Sequence, residues 1–163
     1  MRQRFGRKTK TTARTLSLLA VMCLVAAEQT IAQPQITVSG NITMSITTGV
    51  AGGLPTPAVN TTITLSYRRQ NAISKITVGT SCPGQSFTLK VLATSVTDGT
   101  GAPEVNLVNG MPATDFITNI PVKVNPGAKT CTLQYTASAT FAQGNSTEDG
   151  DDVHTVTYTI LAQ

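Results

Sequence analysis

The densest run of groups able to do chemistry in this chain of 163 residues is Glu148-Asp149-Gly150-Asp151-Asp152. Four carboxylates within five residues offer hard oxygen donors, and Ca²⁺ is the cation that takes such donors. The spacing does not follow an EF-hand loop, and the same run also makes an ordinary solvated turn. His154, the sole histidine, follows two positions after Asp152. General acid-base work would require a partner within its reach, and no GxSxG elbow supports a serine triad. Arg68-Arg69 after Tyr67 can stack on a sugar or hold an anion, although an exposed hairpin turn is the commoner use of such a pair. Cys82 and Cys131 form the remaining candidate pair. Of the three cysteines Cys23 falls in the N-terminal leader, and the even count left in an exported protein favours a disulfide. A metal centre built on these cysteines would lack the CxxC spacing and would have one histidine to draw on.

The first residues set the compartment. Arg2, Arg4, Arg7, Lys8, Lys10 and Arg14 precede the apolar run 16–27, and small residues then offer cleavage after Ala27 or Ala32. This is the layout of a secretory signal peptide, so residues 1–32 are expected to be removed and 33–163 to form one domain. The destination is extracellular, the cell surface or the periplasm, with no transmembrane segment left after removal. The remaining chain holds six basic residues against seven acids, a net of −1. The overall basic balance therefore belongs to the leader, and nucleic-acid binding is not expected. No Gly-rich phosphate loop joins a strand to a helix. The chain reads as a non-enzyme without a cofactor, Ca²⁺ at Glu148, Asp149, Asp151 and Asp152 being the one ion considered.

The elements that must position these groups read as strands. Val156, Tyr158 and Ile160 alternate with Thr155, Thr157 and Thr159, a period of two. The same grammar recurs at Ile36, Val38, Ile42, Met44 and Ile46, with Gly40 at the missing place. It recurs at Val59–Tyr67, at Ile73–Val78, at Phe87–Val91, at Val105–Val108, around Pro121, and from Cys131 to Phe141. Gly49–Pro57, Cys82-Pro83-Gly84, Asp98–Pro103, Asn109-Gly110 and Asn125-Pro126-Gly127 punctuate them as turns. The last two strands are expected to pair as a hairpin across the acidic loop. Short strands at this spacing predict an all-β, Ig-like antiparallel β-sandwich of about seven to nine strands.

Thr, Ser and Asn dominate the outward strand positions. Asn41, Asn60 and Asn145 begin glycosylation acceptor tripeptides, of which only Asn145 lies in a predicted loop. The first alternating stretch is terminal and is followed by Gly49-Val50-Ala51-Gly52-Gly53, a hinge. Such a strand can leave its own sheet and complete a neighbour's, which makes Ile36, Val38, Ile42, Met44 and Ile46 a candidate donor strand. Pairing within its own domain is the simpler use.

A signal peptide, one Thr/Val/Ala-rich β domain, a cysteine pair and alternating first and last strands together resemble small exported bacterial fimbrial (pilin-like) subunits. In that family a glycine lies some fourteen places from the end and a tyrosine is penultimate. Gly150 occupies the first place, whereas position 162 is Ala and the nearest tyrosine is Tyr158. The resemblance implies a secreted structural or surface protein that self-associates, as a fimbrial or filament subunit does. The alternative is a carbohydrate- or ligand-binding adhesin, with Tyr67, Arg68, Arg69 and the acidic loop as the surfaces that would meet a glycan.

Overall fold

The computed structural model describes residues 35–68, 72–122, 127–143 and 150–163, all within the unit Ile31–Gln163. Every strand pairing among them is antiparallel. The strands are β1 (Gln35–Val38), β2 (Ala58–Arg68), β3 (Ser74–Ser81), β4 (Thr88–Thr94), β5 (Thr100–Gly101), β6 (Val105–Leu107), β7 (Thr114–Ile120), β8 (Lys129–Ser138) and β9 (Thr155–Ala162). One sheet has the order β1-β2-β8-β4-β6 and the other β5-β7-β3-β9. Among the described residues no helix is long and apolar enough to cross a membrane.

Alternation is what builds the interior. In a strand successive side chains point to opposite faces, so every second residue can be apolar without exposing the rest. Ile63, Leu65 and Tyr67 of β2 turn inward with Cys131, Leu133 and Tyr135 of β8 and Val91 of β4. Ile76 and Val78 of β3, Phe116, Ile117 and Ile120 of β7 and Tyr158 of β9 meet them from the other sheet in one cluster. The result is sandwich-like: two antiparallel sheets sharing a core. Tyr67 is 1 % exposed and donates its hydroxyl to the Asp98 carbonyl at 2.6 Å. That removes it as a platform for a sugar ring.

Four expectations are corrected. The last two strands do not form a hairpin: β8 lies between β2 and β4, while β9 pairs with β3 in the opposite sheet. Likewise β2, which ends at Arg68, and β3 lie in different sheets and do not form a hairpin. Val59 faces outward at 59 % exposure, because the β2–β8 register shifts between Asn60 and Ile63. One extra residue reverses the parity of everything before it. Finally, β8 ends at Ser138, and a 3-10 turn, Phe141–Gln143, leaves Phe141 71 % exposed. The Gln143 side chain fixes that turn by accepting from Thr140 N at 2.6 Å and donating to Ser86 O at 2.7 Å.

The expected disulfide is also corrected. Cys82 and Cys131 are both free and buried. Cys82 follows β3 at the end of the molecule where Asp152 meets Ser86 and Phe87. Cys131 sits near the start of β8, where Thr97 N bonds Thr130 O. The far end of β8, Ser138, pairs with Thr88 beside Phe87. Seven residues of strand separate Cys131 from that end, roughly 23 Å at strand rise, whereas a disulfide requires Cβ atoms roughly 4 Å apart.

Candidate functional site

Two features bring chemistry-bearing or association-prone groups together, and both lie along the β9 side of the molecule. The first is a groove of about 1280 Å³. β1 pairs with only the last part of β2, Leu65 to Arg68, and touches β9. Ser39 makes the last bonds of this segment to β2, its N–H donating to Thr64 O at 2.9 Å and its hydroxyl accepting from Thr64 N at 2.9 Å. Beyond it the chain runs to residue 47 without a strand partner among the described residues.

Residues 41–47 nonetheless keep strict alternation: Ile42, Met44 and Ile46 are half-buried, while Asn41, Thr43, Ser45 and Thr47 are exposed. Ile42 and Met44 pack against the core cluster and line the groove with Ile46. Among the described residues no hydrogen bond joins residues 40–47 to either sheet, and pairing resumes at Thr48, whose carbonyl accepts from Thr56 N at 2.7 Å. The expected first strand is therefore half formed. Its side chains sit as a strand's would, but its backbone is unzipped after Ser39. Val38 stands opposite Leu65, so it points to the same face, yet it keeps 39 % exposure because it borders the open groove. Tyr135 and Tyr158 line the groove from opposite sheets, their hydroxyls 2.8 Å apart.

The second feature is a cluster of Cys82, Asp152 and His154. One ligand atom from each, the thiol sulfur, a carboxylate oxygen and a ring nitrogen, lies within 4.8 Å of the others. Antiparallel register explains the meeting. Ser81 stands opposite Thr155, so the next positions outward, Cys82 and His154, face each other. Asp152 precedes His154 by two, the spacing that returns an extended chain to the same side. Each member is held by a neighbour. Cys82 N donates to Asn109 Oδ1 at 2.8 Å, from the Asn109-Gly110 turn. Asp152 Oδ2 accepts from Phe87 N at 2.7 Å and Ser86 N at 3.1 Å, and Oδ1 accepts from Ser86 N at 2.9 Å. His154 Nδ1 lies 3.1 Å from Thr80 Oγ1.

Burial governs the protonation of this cluster. It lowers the His154 pKa, with the Asp152 charge opposing. It raises the Cys82 thiol, helped by Asp152 and opposed by a hydrogen bond with the Val153 backbone. The thiol is thus held as S–H and is 1 % exposed, the opposite of an activated nucleophile.

Of the four acids considered for Ca²⁺, Glu148 and Asp149 lie outside the described residues, as does Arg69. Asp151 is exposed, and Asp152 turns to the Ser86 and Phe87 amides. Among the described residues Asp151 and Asp152 are not gathered with a further acid, and the Cys82-Asp152-His154 group is the one cluster of that size. Sequence reasoning had named all three members singly, but more than 70 positions separate Cys82 from His154, as the 74-residue span of the Thr80–His154 contact shows. Only the β3–β9 register unites them. Comparison with known proteins finds no matching family model, no matching curated protein and no matching solved structure.

Proposed function

We propose that the chain is an exported, non-enzymatic structural or surface subunit, of Ig-like or fimbrial type, that associates with further copies of itself by exchanging the segment 35–47. The observation that carries this reading is the unzipped first strand. A stretch whose apolar side chains already line a groove, but whose amides and carbonyls from residue 40 to 47 have no sheet partner among the described residues, is poised to pair elsewhere. β9 is an edge strand beside that groove, and a segment laid along it would gain main-chain bonds, each worth on the order of 1 kcal/mol net.

Gly49 to Gly53 follows the segment as a hinge, and Gly52 takes a φ of +77° that favours glycine. An identical segment from a second copy fits the groove as this chain's own does, so exchange requires no new complementarity. The Thr-rich outer positions of β9 leave its edge free of charge that would repel a partner strand.

Light scattering across a concentration series, with electron microscopy of the same samples, tests the reading. Assemblies larger than one chain are expected, and Ile42→Asp with Met44→Asp should abolish them by placing charge in the groove. A strict monomer at every concentration, with no fibres, would overturn it.

A further inference from the structure

We propose that Cys82, Asp152 and His154 form a binding site for a borderline divalent metal ion, Zn²⁺ being the ion best matched, at the junction between β3 and β9. The inference stands on these three residues alone and does not depend on strand exchange. Three kinds of donor converge: sulfur, imidazole nitrogen and carboxylate oxygen. A thiolate with an imidazole selects ions of the zinc type over Ca²⁺ or Mg²⁺, which prefer all-oxygen shells. Three protein ligands are also the number that leaves one tetrahedral position for water or an outside donor.

The geometry requires little change. Zinc bonds of about 2.0–2.3 Å place the ligands of one ion roughly 3.5 Å apart, and these ligand atoms already lie within 4.8 Å of one another. Closing the remainder is a shift of about 1 Å, next to the Cys82-Pro83-Gly84 turn and the lead-in to β9.

The surrounding contacts resemble those that orient metal ligands. A carboxylate has about four lone-pair positions, so the amides of Ser86 and Phe87 can aim Asp152 while leaving capacity for an ion. Thr80 Oγ1 fixes the imidazole through Nδ1. Such outer contacts ordinarily set ligand orientation and affinity. Binding releases the thiol proton of Cys82 to solvent as the S–metal bond forms, with no change of oxidation state.

Because one ligand follows β3 and two precede β9, the ion would tie the entrance of the edge strand to the centre of its sheet. Asp152 and His154 also line the groove, so the open position is accessible from that side.

Chelator-treated protein titrated with Co²⁺, a spectroscopic substitute for Zn²⁺, tests the site. One equivalent per chain is expected, with a thiolate-to-cobalt absorption in the near ultraviolet that Zn²⁺ displaces and excess Ca²⁺ does not. Cys82→Ser should abolish that band, and His154→Ala should weaken binding at least tenfold, whereas Cys131→Ser and Asp151→Asn should leave both unchanged. His154 is half-exposed, so its variant keeps the test decisive if Cys82→Ser fails to fold. A folded protein that gives no thiolate band, or one whose band survives Cys82→Ser or is lost in Cys131→Ser, would overturn the proposal.

Discussion

Removing a single hydroxyl from the paired tyrosines of the groove should cost more than removing both. Tyr135 and Tyr158 are 6 % and 9 % exposed, and their hydroxyls meet at 2.8 Å. The rings stay packed in Tyr→Phe variants, and Tyr158 keeps its tilted contact with Phe116, centroids 5.5 Å apart. What changes is polar satisfaction. Tyr135→Phe leaves the buried Tyr158 hydroxyl without its partner, and Tyr158→Phe does the same to Tyr135. An unsatisfied buried hydroxyl costs about 1–3 kcal/mol, whereas deleting both partners is close to neutral. Each single variant should therefore lose about 1–3 kcal/mol, and the double variant should recover most of it, giving a coupling of at least about 1 kcal/mol. Urea unfolding at constant m-value measures all four proteins. Losses that add to within about 0.5 kcal/mol would refute the pairing and with it this account of how the two sheets meet at the groove.

Alkaline pH should unfold the protein cooperatively. All three tyrosines have raised pKa values, burial being the first cause in each; at Tyr67 the bond to the Asp98 carbonyl opposes it. The unfolded chain then gives up these protons first, near the ordinary value of 10.0, so stability present below that pH is lost above it. Phenolate absorbance should rise together with loss of circular dichroism, not before. Burial also pushes the Cys131 thiol up to about 11, adding to the same trend. On the acid side, His154 has a lowered pKa, so its contribution is complete above 6.5 and is lost as pH falls through the folded value. His154→Gln should flatten the stability profile below 6.5 in denaturant midpoints measured by pH. Gly99→Ala should be among the most damaging small changes: Gly99 has φ +95°, and a Cβ there would stand 2.7 Å from Thr118 O and 2.9 Å from Ile117 Cγ2. The overpacking alone costs about 1–3 kcal/mol, read as a fall in the thermal midpoint.

Much of the fold was legible because period-two patterning reports directly on which side chains face inward. The inward set of β9, Val156, Tyr158 and Ile160, is correct, as is that of β8 from Cys131 to Tyr135. Pairing was not legible, since nothing local distinguishes a hairpin from a crossover between sheets; β9 joins β3 by the register Val78↔Tyr158, a choice made by the whole core. The β2 bulge left no glycine signal, and the Asn60 carboxamide that accepts from Thr62 N at 2.9 Å is visible only in three dimensions. The first strand was legible as apolar alternation, but its side chains and its backbone part company after Ser39. The same limit hid the Cys82-Asp152-His154 cluster, whose members meet through register rather than spacing.

Exchange of the first strand is tested most directly by where residue 42 lies in a mixture of isotopically labelled and unlabelled chains. A photo-crosslinking amino acid at position 42, activated in concentrated mixed protein, should join to groove residues such as Ala137 or Val156 of the other isotope, giving mixed-mass pairs. Crosslinks confined to a single isotope at every concentration would show that the segment stays in its own chain.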